Sequence, residues 1–138
     1  MELNITNHAS DVPFSFILQE LLMGNIEKSK AKYATYKKMR GITTIDLPDI
    51  EVSISLHFNR GSLTIEPGIS PGVAVLISTS SDNVMYLNAL NIRWGLPYYL
   101  DEAGRKVLGL IFSGKLKIKG LLTHPVLLTR LTIIMSVM

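Results

Sequence analysis

Three histidines, eleven carboxylates and no cysteine set the limits of the polar chemistry open to this 138-residue chain. His8, His57 and His124 lie far apart, and none shares a local spacing with another histidine or a carboxylate of the kind that ligates a metal. Without cysteine there is no thiolate for nucleophilic or redox work. No serine is read as a nucleophile elbow, although a Ser-His-Asp arrangement assembles in space and stays open at this level. Gly104, Gly109 and Gly114 are spaced too widely to cradle a phosphate. Glu66 and the Asp101-Glu102 pair have acid/base character, yet they stand at turn and helix-start positions where solvated carboxylates are common. The sequence therefore points to no catalytic residue, no metal site and no cofactor.

The apolar residues form a more coherent group. Met85, Leu87 and Leu90 recur at helical spacing, and Leu108, Ile111 and Phe112 make a second ridge. Between them lie Arg93, Trp94, Tyr98 and Tyr99. Methionine fills irregular space, and tryptophan and tyrosine join apolar bulk to a polar tip, which suits a portal where a tail is buried and a head group stays wet. Arg93 is placed to meet an anionic head group. The same side chains would equally serve as core, packed on Val52, Ile54, Leu56 and Val75.

These residues need a scaffold, and the periodicity supplies one. Residues 1–10 read as a loosely ordered arm. Ser10 or Asp11 caps a helix with Pro13 in its first turn, and Phe14, Ile17, Leu18, Leu21 and Leu22 give it an apolar face. Gly24-Asn25 predicts a break or kink, followed by a Lys- and Ala-rich helix from Ile26 to Arg40 that Gly41 closes. The N-terminal helical region thus spans 12–41. From Ile50 the period becomes two: Val52, Ile54, Leu56 and Phe58 alternate with Ser53, Ser55, His57 and Asn59. Asn59-Arg60-Gly61 is a hairpin turn, Leu63 and Ile65 lie on the return strand, and Val73 to Thr79 is a third strand. Ser80-Ser81-Asp82 caps a helix through Leu90, and a further helix carries Leu100 to Phe112. Gly114-Lys115-Leu116-Lys117-Ile118-Lys119-Gly120 alternates strictly as a strand. A short turn or helix at His124-Pro125-Val126-Leu127 then leads to a last strand over Leu131 to Val137. The order predicts an α+β domain with one sheet, helices on one side and solvent on the other.

Length is that of one domain, 1–138, with the sheet and covering helices over 45–138. Charged residues make up 18%, against about 25% in an average protein. Mean hydropathy is +0.29, so either the core is well filled or part of its surface lines a cavity. The acidic, polar N-terminus is unlike a signal peptide, and no apolar run reaches the ~18 residues of a membrane span. With the missing cysteines, these features predict a cytoplasmic protein. The net charge is only +3, and a basic block, Lys28, Lys30, Lys32, Lys37, Lys38 and Arg40, supplies much of the positive side. A solvated helix face explains it. An acidic membrane surface is the partner it would next suit, since the footprint is narrow for nucleic acid.

The glycine-flanked alternating strand, the strand-turn-strand through Asn59-Arg60-Gly61 and the capped segment Val73 to Leu90 occur in an order that resembles the sterol carrier protein type two domain. The likeness covers roughly residues 45–138. It implies a single five-stranded mixed sheet covered on one face by helices, with an apolar tunnel between the layers. It also implies a non-enzymatic carrier of a fatty-acyl or similar ligand. The chain departs from the pattern in a longer segment between Asn91 and Ser113, and at its Met135-Ser136-Val137-Met138 end. Two other functions stay open. One is a module that dimerises through Phe14 to Met23. The other is a small enzyme on a lipidic substrate, using Glu66 or His57 with Tyr98.

Overall fold

The computed structural model describes residues 4–80, 91–93, 96–98, 102–114, 116–120 and 123–135. Their elements run β1 (Asn4–Asn7), α1 (Pro13–Lys28), α2 (Lys30–Lys38), β2 (Arg40–Leu47), β3 (Val52–Asn59), β4 (Ser62–Pro67), β5 (Val75–Thr79), β6 (Asn91–Arg93), β7 (Leu96–Tyr98), α3 (Glu102–Phe112), β8 (Leu116–Lys119) and α4 (Pro125–Met135). The α+β reading holds. The main sheet is mixed, as expected, but has six strands rather than five, in the order β1-β4-β3-β2-β5-β8. β1 pairs parallel with β4, and β2 pairs parallel with β5; the other ladders are antiparallel. β6 and β7 form a separate hairpin.

Three expectations need correction. First, α1 does not break at Gly24-Asn25 but continues to Lys28. One helical glycine costs about 1 kcal/mol. Leu22, Asn25 and Ile26 around it are buried, and Asn25 Nδ2 donates to the Ile134 carbonyl at 3.0 Å. The break comes at Ser29, which is extended and whose hydroxyl accepts from the Lys32 N–H to cap α2. Second, Gly41 closes no helix. It lies in β2, the central strand, whose run Ile42-Thr43-Thr44-Ile45 has the β-branched composition strands favour. β1 likewise makes residues 4–7 a strand rather than a loose arm.

Third, the strand expected over Leu131 to Val137 is helical through Met135. Pro125 starts α4, which suits a residue without an N–H, and Leu128 N–H donates to the His124 carbonyl. Leu127, Leu128 and every residue from Leu131 to Met135 are buried. The last five residues of α4 are buried whichever way they face, so this part of the helix shows no polar face and its sequence carries no 3.6-residue signal. Thr132 satisfies its hydroxyl on the Leu128 carbonyl at 2.9 Å.

The inward sheet face is Thr43, Ile45 and Leu47 on β2, Ile54, Leu56 and Phe58 on β3, Leu63 and Ile65 on β4, Val75 and Ile77 on β5, and Leu116 on β8. It forms one core with Leu18, Leu22 and Ile26 of α1, Tyr36 of α2 and Leu131 and Ile134 of α4. No helix among the described residues is long and apolar enough to cross a membrane.

The glycine-flanked strand β8 is as the alternation predicts: Leu116 is buried while Lys117 and Lys119 are exposed. Gly120 closes it at φ 93°, and a Cβ there would collide with the Ala74 carbonyl oxygen and press on Val75 Cα. Backbone sign and space both demand glycine. Gly120→Ala should lower the unfolding free energy by roughly 2–4 kcal/mol, read from urea denaturation.

Tyr36 stands edge-on to Phe58, with ring centroids 6.3 Å apart and planes at 77°. Burial, with a smaller contribution from neighbouring Tyr33, pushes its phenol up to about 12. The fold therefore holds the proton more tightly than the unfolded chain does. That stability is fully present below pH 10, the ordinary phenol value, and is lost as pH rises towards 12. Thermal melts between those pH values should show the loss, and Tyr36→Phe should flatten it while weakening the anchor little at neutral pH.

Candidate functional site

The expected tunnel runs between the sheet and its helices. Over β2, β3 and β4 the two layers close completely. Ile45, Leu47, Ile54, Leu56 and Ile65 have no exposed surface, nor have Leu22, Ile26, Leu131 and Ile134 opposite them. Gly41 makes part of this closure possible, because a Cβ there would meet Leu127 Cδ2 at 2.9 Å. Even Thr43 Oγ1, buried on the inward face, finds no hydrogen-bond partner among the described residues. Ile54, Leu56 and Val75, named from the sequence as core, are core, with Val52 at its margin.

At the other end, β8 meets α3. Val107 of α3 is buried, and Leu110 and Ile118 are partly buried against the core. Leu108, Ile111 and Phe112 lie on α3, at the β8 end of the sheet. Arg93 ends β6 and Tyr98 ends β7, so a hairpin precedes the helix expected over Leu100 to Phe112, which runs from Glu102 to Phe112. β7 lies against α4. Met85, Leu87, Leu90, Trp94 and Tyr99 fall outside the described residues, as does Lys115.

The polar face of the sheet holds a network that sequence reasoning took for a wet surface. Asp46 of β2 accepts from both lateral partners: Ser53 of β3 on Oδ1 at 2.7 Å and Ser78 of β5 on Oδ2 at 3.1 Å. The 68–72 loop folds over the neighbouring pair. Ser55 Oγ donates to the Gly68 carbonyl at 2.7 Å and accepts from the Ser70 N–H at 3.0 Å. Its one proton being spent, the Thr44 hydroxyl must donate to it across 2.8 Å. Ser55 and Thr44 are consequently buried.

His57 Nε2 stands 2.9 Å from Ser70 Oγ, and Gly68-Ile69-Ser70-Pro71-Gly72 does match Gly-x-Ser-x-Gly, a string the sequence reading passed over. Its setting differs from an elbow. The segment joins two strands, β4 and β5, instead of a strand to a helix. The residue after the serine is Pro71, which has no N–H for an oxyanion, and the Ser70 N–H is already engaged by Ser55. The pair pins a loop. Glu66 is committed elsewhere, 2.8 Å from His8 Nδ1, while β7, which carries Tyr98, lies against α4 on the helical side. The three residues offered for an enzyme are not brought together. His124 is exposed and bonds to Thr123, and no group of three potential metal ligands occurs among the described residues.

Outside the core, α2 and α4 flank two adjoining clefts of about 390 and 310 Å³. Lys38, Pro125, Val126 and Arg130 border both. Arg130 crosses to α2, its guanidinium donating to the Lys38 carbonyl at 3.3 Å. Lys32 of the basic block is not on this outer face: it is buried, and burial holds its ammonium below the usual lysine value.

No protein-family model matches the sequence, and no curated protein is similar to it in sequence. Solved structures are similar in fold. A UbiJ-SCP2 ubiquinone synthesis protein superposes with a TM-score of 0.61 at 12% identity, covering 88% of this chain and 90% of that one. A sterol carrier protein 2 superposes with a TM-score of 0.51 at 11% identity, covering 84% and 88%. A sec-alkyl sulfatase double mutant matches at a TM-score of 0.46 over 12% of its own chain, too little to bear on this one. The mixed sheet backed by helices on one side is thus similar in fold to sterol carrier protein 2, with six strands where the resemblance implied five.

Proposed function

We propose that this chain binds a lipid-like molecule with a fatty-acyl or similar apolar tail and carries it without chemical change. The observation that carries the reading is the likeness over nearly the whole chain to a sterol carrier protein 2 and to a UbiJ-SCP2 ubiquinone synthesis protein. Closure of the layers over β2 to β4 supports a ligand site at the other end, where β8 meets α3. There the tail would meet Leu108, Ile111 and Phe112 of α3 and Met85, Leu87 and Leu90. Trp94, Tyr98 and Tyr99 would form the portal, and Arg93 would meet the head group. Each buried methylene contributes about 0.8 kcal/mol, so a sixteen-carbon tail gains on the order of 12 kcal/mol before ordering and association costs. Micromolar binding survives those costs. A chain without cysteine suits a reducing, cytoplasmic setting for this work.

Trp94 is the only tryptophan, so it reports on the portal directly. Organic-solvent extraction of the purified protein should release a lipid identifiable by mass spectrometry. A doxyl-labelled stearate should quench Trp94 emission at micromolar concentration, and Leu87→Asp should weaken that binding about tenfold or more by placing a charge in the apolar site. A protein that yields no lipid and whose emission ignores the probe ends the proposal.

A second reading rests on α1, which leaves Phe16 46% and Ile17 63% exposed. Such a patch suits a second copy of the chain. Light scattering should then find a dimer that persists on dilution and that Ile17→Asp dissolves; a monomer removes this reading and leaves the carrier intact.

A further inference from the structure

Twelve of the fourteen Lys and Arg residues fall in two stretches without a single Asp or Glu, six in residues 28–45 and six in residues 103–138. The sequence separates these stretches by nearly sixty residues, and the fold packs α2 of the first against α4 of the second. The clefts along that seam bring two cations of the first stretch together with one of the second. Lys38, Arg40 and Arg130 border them, His124 stands at one end, and no carboxylate lines either. Between the cations the surface is apolar: Val126 is 59% exposed, with Pro125 beside it and Ile133 behind.

We propose that this α2–α4 face docks on an acidic phospholipid bilayer. Lys38, Arg40 and Arg130 would meet lipid phosphates while Val126 enters the boundary between head groups and acyl chains. A bilayer presents its charge and its apolar matter in that order of depth, and basic residues near it gain about 1 kcal/mol each. The clefts suit that planar partner better than a folded one. They are shallow, without the long apolar groove that an amphipathic helix requires. They also lack the aromatic side chains on which nucleic-acid bases stack. The proposal stands apart from the interior ligand, because the docking face lies on the outside of α2 and α4.

The test is sedimentation of the purified chain with vesicles of phosphatidylcholine alone and of phosphatidylcholine mixed with phosphatidylglycerol. Binding should occur on the mixed vesicles only and fall as ionic strength rises. Lys38→Gln with Arg40→Gln should weaken it roughly thirtyfold, about fivefold for each charge removed. Val126→Ser should weaken it severalfold at unchanged charge. Lys117→Gln with Lys119→Gln removes two charges from the other side of the sheet and should leave binding nearly unchanged. All these side chains are exposed, so circular dichroism should show each variant folded. Equal loss in the Lys117/Lys119 variant, equal binding to phosphatidylcholine alone, or binding to an acidic peptide or RNA but to no vesicle would overturn the proposal. Doxyl-stearate quenching in detergent-free buffer without vesicles measures the interior site separately, so failure of one reading does not mask the other.

Discussion

The seating of α4 on β2 organises the molecule. β2 is paired on both sides, antiparallel with β3 and parallel with β5, so its backbone is held along both edges. Gly41 leaves room for Leu127, and α4 packs beside α1 and α2 with seven of its eleven residues buried. Two polar contacts fix its azimuth: Asn25 of α1 donates to the Ile134 carbonyl, and Arg130 reaches the Lys38 carbonyl of α2. Neither is strong alone, since a hydrogen bond contributes about 1 kcal/mol net. They specify where a nearly featureless apolar helix stops rotating.

That seating divides the space between the layers. Over β2, β3 and β4 the core is close-packed and leaves no surface for a guest. Toward β8 the covering comes from α3, a separate helix, while β7 of the small hairpin leans on α4. The fold thus has one close-packed half and a second half whose cover is built from other elements. The same helix also creates the external seam with α2, so the core contact and the charged surface have one origin.

The polar side of the sheet follows a different logic. Strand alternation places Asp46, Ser53 and Ser78 side by side, and one carboxylate bonds both neighbours, which resists a slip in register. The loop after β4 completes the arrangement by folding back onto Ser55 and His57. Groups that resemble a hydrolytic dyad in type and distance are here part of a clasp, because the backbone donors an oxyanion would need are missing or already engaged.

Local alternation and turn chemistry were enough, from the sequence alone, to find β3, β4, β5 and β8 and the glycine turns at Gly61 and Gly120, since these depend on neighbours a few residues apart. The α+β class and the likeness in fold came from the same patterns. What the sequence left hidden depends on distant partners. β2 has its own β-branched signature, yet a preceding basic helix and Gly41 read as a helix with its cap until the pairing with β3 and β5 claimed them. The end of α4, Leu131 to Met135, reads as a strand because unbroken burial there erases its helical period. The predicted lining residues carry no local mark that separates a ligand wall from a packed core. The basic seam was half legible: Lys38 and Arg40 stood out in their block, but Arg130 and Val126 joined them only when α4 packed on α2. Periodicity fixes which face of an element is apolar; which other face meets it is a property of the assembled chain.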